Sequence, residues 1–150
     1  MYSQKFEKAF EYIIQNDGDY VFDKNDPGGE TKFGISKRSY PALNIKDLTL
    51  EDAKKIYYRD FWQKGKFEEI DDEKVATQVF DLSVNLGIRS AVIVLQRALR
   101  SVGKTVQEEG LIGPQTLLAT LNSDPRCLLV AIKSEAARYY RQIVAKNPSQ

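Results

Sequence analysis

The chain has no histidine and one cysteine, Cys127. Without histidine there is no imidazole for a zinc site, and no histidine-based nucleophile triad can be assembled. A lone cysteine cannot close an intramolecular disulfide, so the fold has to rest on its core. An excess of one charge is also missing. Twenty-two basic and 21 acidic side chains leave a formal net charge of +1, which argues against a broad phosphate-binding surface and against nucleic acid as a partner. No run of about 18 apolar residues occurs, so no integral membrane segment is expected. The first residues, Met1-Tyr2-Ser3-Gln4-Lys5-Phe6-Glu7-Lys8, lack the apolar core of a signal peptide. What chemistry remains must run on carboxylates, hydroxyls, lysines or amides. At 150 residues one domain can bury about two thirds of the surface its unfolded chain exposes, and a monomer that folds alone is expected.

The apolar spacing predicts a mainly helical protein. Phe6, Phe10, Ile13 and Ile14 recur at helical intervals over residues 3 to 15, and Asn16-Asp17-Gly18 ends that helix, leaving Asp17 just past its end. Tyr20 to Phe22 and Thr31 to Ile35 are short β-prone runs separated by turn residues, which predicts a small hairpin or irregular β-lobe. Thr49 with Asp52 carries a capping signal for a helix whose inward face is Ala53, Ile56, Tyr57 and Phe61, up to Trp62. Val75, Val79, Phe80 and Leu86 mark a helix closed by Gly87, and Ala91, Val92, Leu95, Leu99 and Val102 one closed by Gly103. Pro114 and Asp124-Pro125 open two more, the last running to about Val144. Six helices and a β-lobe make one compact unit of two lobes with a cleft between them, with residues 1–70 as its N-terminal half and 71–150 as its C-terminal half.

Residues 17 to 36 gather Asp17, Asp19, Asp23, Asp26 and Glu30 among glycines and a proline. Turn chemistry alone accounts for such a cluster, because Asp stabilises caps and Asx-turns while Gly takes positive φ. A calcium loop is a second reading. In an EF-hand register starting at Asp23, Pro27 occupies the fifth ligand position and Gly34 the twelfth, where a bidentate Glu is required, so that register fails and no metal is assigned. A third reading is acid/base work on a sugar, which needs one carboxyl to protonate the leaving oxygen and a second group across the bond.

Two resemblances favour the third reading. Phage-type lysozymes carry Glu-x8-Asp-x5-Thr after the first helix, and Asp17, Asp26 and Thr31 form a similar Asp-x8-Asp-x4-Thr. More closely, Tyr20-Val21 and Asp26-Pro27-Gly28-Gly29-Glu30-Thr31-Lys32-Phe33-Gly34-Ile35-Ser36 resemble the motif of glycoside hydrolase family 108, the N-acetylmuramidases also called secretion activator proteins. Phe80-Asp81-Leu82-Ser83-Val84-Asn85-Leu86-Gly87 is similar to that family's Phe-Asp-x-x-Val-Asn-x-Gly segment. Leu95-Gln96-Arg97-Ala98-Leu99 with Gly110-Leu111-Ile112-Gly113-Pro114-Gln115-Thr116 resembles the peptidoglycan-binding half that accompanies it.

The resemblance implies a lysozyme-like two-lobed helical domain with a small β-hairpin lobe, acting without cofactor on peptidoglycan glycan strands. Asp17 would be the proton donor, Asp26 the second carboxylate and Thr31 the group that positions water. Tyr20, Glu30, Phe33, Trp62 and Asn85 are the substrate-contact candidates. For the aromatic ones a core role competes with stacking on sugars, for Asn85 a cap, and for Glu30 bonding within the hairpin. Lys37, Arg38, Lys54 and Lys55 read as a solvated face, and Cys127 as packed on an apolar helix face. A chain made in the cytoplasm would reach the cell wall by holin-type or other non-Sec release. The sequence departs from the family at Asp17, where members carry Glu, and at Asp19, where they carry Gly. A carboxyl one methylene short sits on the order of 1 Å back, a displacement that can cost about 10²-fold in rate. Three roles stay open: an active hydrolase adjusted to Asp, a peptidoglycan-binding protein that has lost turnover, and a secretion or lysis accessory protein.

Overall fold

Ser3 opens the first helix by accepting the Phe6 amide on its hydroxyl at 3.1 Å, and the helix α1 runs over Gln4–Asp17. The computed structural model describes residues 2–17, 20–22 and 29–146; of residues 16, 17, 21 and 22 it describes the backbone alone. Among the described residues there are six α-helices and one small sheet: α1, the strands β1 (Val21–Phe22), β2 (Glu30–Lys32) and β3 (Ile35–Ser36), then α2 (Leu50–Tyr57), α3 (Glu73–Leu86), α4 (Ile88–Ser101), α5 (Pro114–Leu121) and α6 (Pro125–Lys146). A π-helical turn, Tyr58–Gln63, continues from α2. The chain divides into two units, Met1–Asp60 and Phe61–Gln150. None of the described helices is long and apolar enough to cross a membrane.

In the first unit Phe6, Ala9, Phe10 and Ile13 form the buried stripe of α1, as the 3.6-residue period requires. α1 runs two residues past the stretch 3 to 15 expected for it, so Asp17 is its last residue rather than the first one past it. Phe6 meets Tyr58 edge-on at 5.1 Å and Phe10 lies 5.9 Å from Tyr57, ring centre to ring centre. Each large apolar side chain fully buried this way stabilises the fold by about 2 kcal/mol, and this aromatic seam fixes α1 against α2. Lys54 of α2 pairs with Glu7 of α1 and lies over the Phe10 ring, so it belongs to the packing and not to a solvated face. Lys37 is tied down too, its ammonium donating to the Leu43 carbonyl at 2.6 Å. Thr49 caps α2: its hydroxyl accepts the Asp52 amide and the Asp52 carboxylate accepts the Thr49 amide, a reciprocal box. These bonds hold the Asp52 carboxyl below the ordinary carboxylate range.

The β-lobe is a three-stranded antiparallel sheet in the order β1-β2-β3, one strand more than a hairpin. Val21 pairs with Thr31 and Phe22 with Glu30, while Thr31 and Lys32 pair on the other side with Ser36 and Ile35. The extra strand arises because the run from Thr31 to Ile35 is broken at Phe33-Gly34, both at positive φ, 53° and 79°. Lys32 crosses from the sheet to donate to the Lys46 carbonyl at 2.9 Å, anchoring β2 to the short 3-10 turn Ile45–Asp47.

In the second unit Trp62, Phe67 and Phe80 form a tilted to edge-on cluster with centroid separations of 5.3 to 6.3 Å. The apolar faces of α3, α4 and α6 pack on one another, with Val79, Phe80, Val92, Leu95, Leu99, Leu128 and Ile132 fully buried. Gly87 ends α3 and begins α4 at φ 91°, ψ 156°, a conformation open to glycine and costly for other residues. Asp124 caps α6, accepting the Arg126 amide at 2.9 Å. Cys127, on the first turn of that helix, is exposed rather than packed on an apolar face.

Candidate functional site

Of the sequence candidates, Asp17 lies at the end of α1, and Tyr20, Glu30, Thr31 and Phe33 lie on or beside the sheet. Asp17 terminates α1, and its carboxyl, like the whole of Asp26, lies outside the described residues. Thr31 occupies the middle of β2, the central strand, hydrogen-bonded in register to strands on both sides. This position fixes its Cα within the lattice of the sheet while its side chain stays half-buried.

On the same strand Glu30 is paired with another candidate. The Tyr20 hydroxyl donates to the Glu30 carboxylate at 2.6 Å, and that bond, with a little burial and the negative charge behind it, raises the Tyr20 phenol above its ordinary value. Tyr20 remains 39% exposed, so its ring offers a face to a ligand while its hydroxyl is held. The backbone of Glu30 contributes as well, its carbonyl accepting the Lys37 amide at 2.9 Å.

Phe33 stands at the turn between β2 and β3 with φ 53°, a left-handed conformation that costs a non-glycine residue on the order of 1 to 3 kcal/mol and persists only when its surroundings enforce it. Tyr57 supplies the enforcement. Its ring is fully buried, and its hydroxyl donates to the Phe33 carbonyl at 2.6 Å. The Lys32 ammonium lies 5.4 Å from the centre of the Phe33 ring. Sequence reasoning placed Tyr57 in the core and missed this bond. A tyrosine where the helical period needs only an apolar ring was the available signal, since a buried phenol must find a partner.

A second pair in this unit was not anticipated. Tyr40 donates to the Asp60 carboxylate at 2.8 Å, and Arg59 grips the same carboxylate with two bonds at 2.7 and 2.9 Å. Burial first, then the bond to Asp60, pushes the Tyr40 phenol well above the ordinary tyrosine range.

Two candidates lie in the second unit. Trp62 is only 1% exposed, with Phe67 and Phe80 against its ring and its indole N–H donating to Glu68 at 2.9 Å. It is therefore a core residue, and the expectation of a sugar-stacking ring at Trp62 is corrected. Asn85 is exposed near the end of α3, its amide donating back to the Asp81 carbonyl at 3.1 Å.

The segment read as peptidoglycan-binding is organised by a residue the sequence reading passed over. Gln96, fully buried on α4, accepts the Gly110 amide at 2.9 Å and donates to the Leu111 carbonyl and the Thr116 hydroxyl, both at 3.1 Å. One side chain thus fixes both ends of the glycine-rich loop. Gly110 has φ 79°, and a Cβ there would meet the Arg89 side chain at 2.5 Å. A glutamine one position after Leu95 on the apolar face of α4 was the signal, because a buried amide has to be satisfied by specific partners.

Comparison with known proteins bears on the same two segments. A family model described as Glycosyl hydrolase 108 matches residues 10–87, and one described as Predicted Peptidoglycan domain matches residues 90–150. Among solved structures, the chain is similar to one described as the structure of Brucella abortus SagA, with a TM-score of 0.78 and 25% sequence identity over 91% of this chain and 79% of that one. Among curated proteins no match was found. The mainly helical, lysozyme-like architecture with its small sheet is shared with that solved structure.

Proposed function

The chain belongs to the glycosyl hydrolase 108 family, and from that membership we propose that it is an N-acetylmuramidase cleaving the β-1,4 bond between N-acetylmuramic acid and N-acetylglucosamine. Its function is peptidoglycan-related. In the proposed reaction Asp17 protonates the glycosidic oxygen, Asp26 acts from the other side of the bond, and Thr31 positions the attacking water. One observation carries the reading: the family match spans the end of α1 and the whole sheet, where Asp17 closes the helix and Thr31 sits on the central strand. The backbones of Asp17, at a helix end, and of Thr31, paired on both sides in the sheet, belong to two separate regular elements, and catalytic groups need such anchoring because small displacements cost rate. Tyr20 and Phe33 are proposed to contact the sugars, Tyr20 through its exposed ring and Phe33 from the strained turn. Glu30 contributes by fixing Tyr20.

The second reading, a binding protein that has lost turnover, is favoured by the departure at Asp17, whose carboxyl is one methylene shorter than a glutamate's. One experiment separates the two. Purified peptidoglycan is incubated with wild type, Asp17→Glu and Asp17→Asn, soluble muropeptides are quantified, and sedimentation with sacculi measures binding. The muramidase reading expects cleavage by wild type, faster cleavage by Asp17→Glu, and none by Asp17→Asn with binding kept. A wild type without cleavage that gains it with Asp17→Glu establishes the binding protein. Equal activity of wild type and Asp17→Asn removes Asp17 from the mechanism.

A further inference from the structure

Between α4 and α6 the second unit carries a groove of about 450 Å³, lined by Arg97 and Arg100 from α4, Glu108 from the following loop, and Glu135, Arg138 and Gln142 from α6 among others. Its size falls in the range of small-ligand sites, about 300 to 1,000 Å³. Arg97 and Arg100 donate to the two oxygens of a single carboxylate, Glu108, at 2.5 and 2.7 Å. That carboxylate aligns two guanidiniums and neutralises only one of them. Arg138 is 3.9 Å from Glu135 one helical turn earlier, at the outer limit of an ion pair. With three guanidiniums and two carboxylates the groove carries one positive charge more than its own acids can balance.

The arginine side chains stay available, with 35%, 56% and 63% of their surface exposed for Arg97, Arg100 and Arg138. A guanidinium has five N–H donors, and the bonds to Glu108 occupy one on each of Arg97 and Arg100. The Arg97 guanidinium also lies 5.9 Å from the Tyr139 ring, which restrains its plane. Ion pairs this exposed stabilise a fold by about 0 to 1 kcal/mol, so stability alone is a weak reason for aligning two arginines on one acid. Aligned guanidiniums with spare parallel donors suit carboxylates, which they bind through two bonds at once.

We propose that this groove binds the short acidic peptides that branch from peptidoglycan glycan strands, through their free carboxylates. The proposal rests on the peptidoglycan reading above, and every lining residue falls within the segment 90–150 that matches the peptidoglycan domain. Glu108 and Glu135 select among anions. They repel a polyphosphate but accept the ammonium of a diamino acid, so a groove of mixed sign fits a zwitterionic peptide.

The test uses three probes on the full chain: the soluble tripeptide L-alanyl-γ-D-glutamyl-meso-diaminopimelate, glycan strands stripped of peptide, and inorganic phosphate as competitor. Calorimetric titration compares wild type with the double variant Arg100→Gln, Arg138→Gln, both exposed positions whose replacement leaves the core untouched. The tripeptide is expected to bind wild type and to lose about tenfold in affinity in the double variant, as loss of a charge-assisted contact implies, while binding of stripped strands stays equal. Unchanged tripeptide affinity in the double variant overturns the proposal. So does phosphate displacing the tripeptide at lower concentration than free tripeptide does. If wild type binds stripped strands and not the tripeptide, the groove proposal falls and the muramidase reading stands; if it binds neither, both fall.

Discussion

Tyr57 on α2 holds the carbonyl of Phe33, 24 residues earlier, with a hydrogen bond of 2.6 Å, and so a core residue sets the backbone of a surface turn. Tyr57→Phe keeps the buried ring and deletes the bond. Expected is a loss of about 1 kcal/mol, the usual net value of such a bond, visible as an earlier urea midpoint. In that background Phe33→Gly should recover part of the loss, because glycine takes φ 53° without penalty. Additive effects of the two changes in the double-mutant cycle would mean that the bond does not enforce the turn.

Gln96→Leu should be among the most destabilising single changes in the chain. It leaves the buried Gly110 amide, the Leu111 carbonyl and the Thr116 hydroxyl without their shared partner, and each unsatisfied buried group costs about 1 to 3 kcal/mol. Thermal unfolding should fall by ten degrees or more on the scale of about 4 °C per kcal/mol for a chain of this size. A shift of only a degree or two would show that water replaces the amide.

Thr31→Ala is expected to lower glycan cleavage while moving the melting temperature by only a few degrees. The backbone pairing of β2 with β1 and β3 does not depend on the hydroxyl. Turbidity loss of sacculi and calorimetric unfolding, measured together, check it. Loss of fold in step with loss of cleavage would make Thr31 structural.

Tyr40 predicts an alkaline dependence of stability. Its folded-state pKa is raised above the ordinary 10.0 by burial and by the bond to Asp60, so the stability it contributes is complete below 10.0 and is lost as pH rises toward the raised value. Tyr40→Phe lacks that contribution at neutral pH, where it should be less stable by about 1 kcal/mol. Urea midpoints of wild type and variant should then converge above pH 10.0. Parallel curves would show that the phenol titrates normally.

Much of the helical framework was legible because its signals are local. Apolar residues at a 3.6 period, the Thr49–Asp52 box, Gly87, Pro114 and Asp124 each act within a few residues of where they stand in the sequence. Phe33 was not legible, because nothing in a phenylalanine announces positive φ; the conformation is imposed by Tyr57 from another element. Trp62 failed for a related reason. Aromatic rings serve cores and sugars equally well, and only the neighbouring Phe67 and Phe80 decide between them. Of the three residues proposed as catalytic, Thr31 could be followed to its strand and Asp17 to its helix end, whereas Asp26 lies outside the described residues. The arginine groove was invisible because Arg97 and Arg138 are 41 positions apart in the chain and share a surface only once α4 and α6 pack.

Gly87 is the one residue between α3 and α4, and the two family matches end and begin at 87 and 90. The point where the two matched segments meet is thus flanked by helices that bury Val79 and Phe80 on one side and Val92 and Leu95 on the other. A genetic exchange at this glycine would hand each recipient a helix with a bare apolar flank. An exchanged piece would keep this packing only if it carried a flank of matching volume, so the two matched segments are one folding unit at this seam, and a change of volume on one helix has to be absorbed by the other.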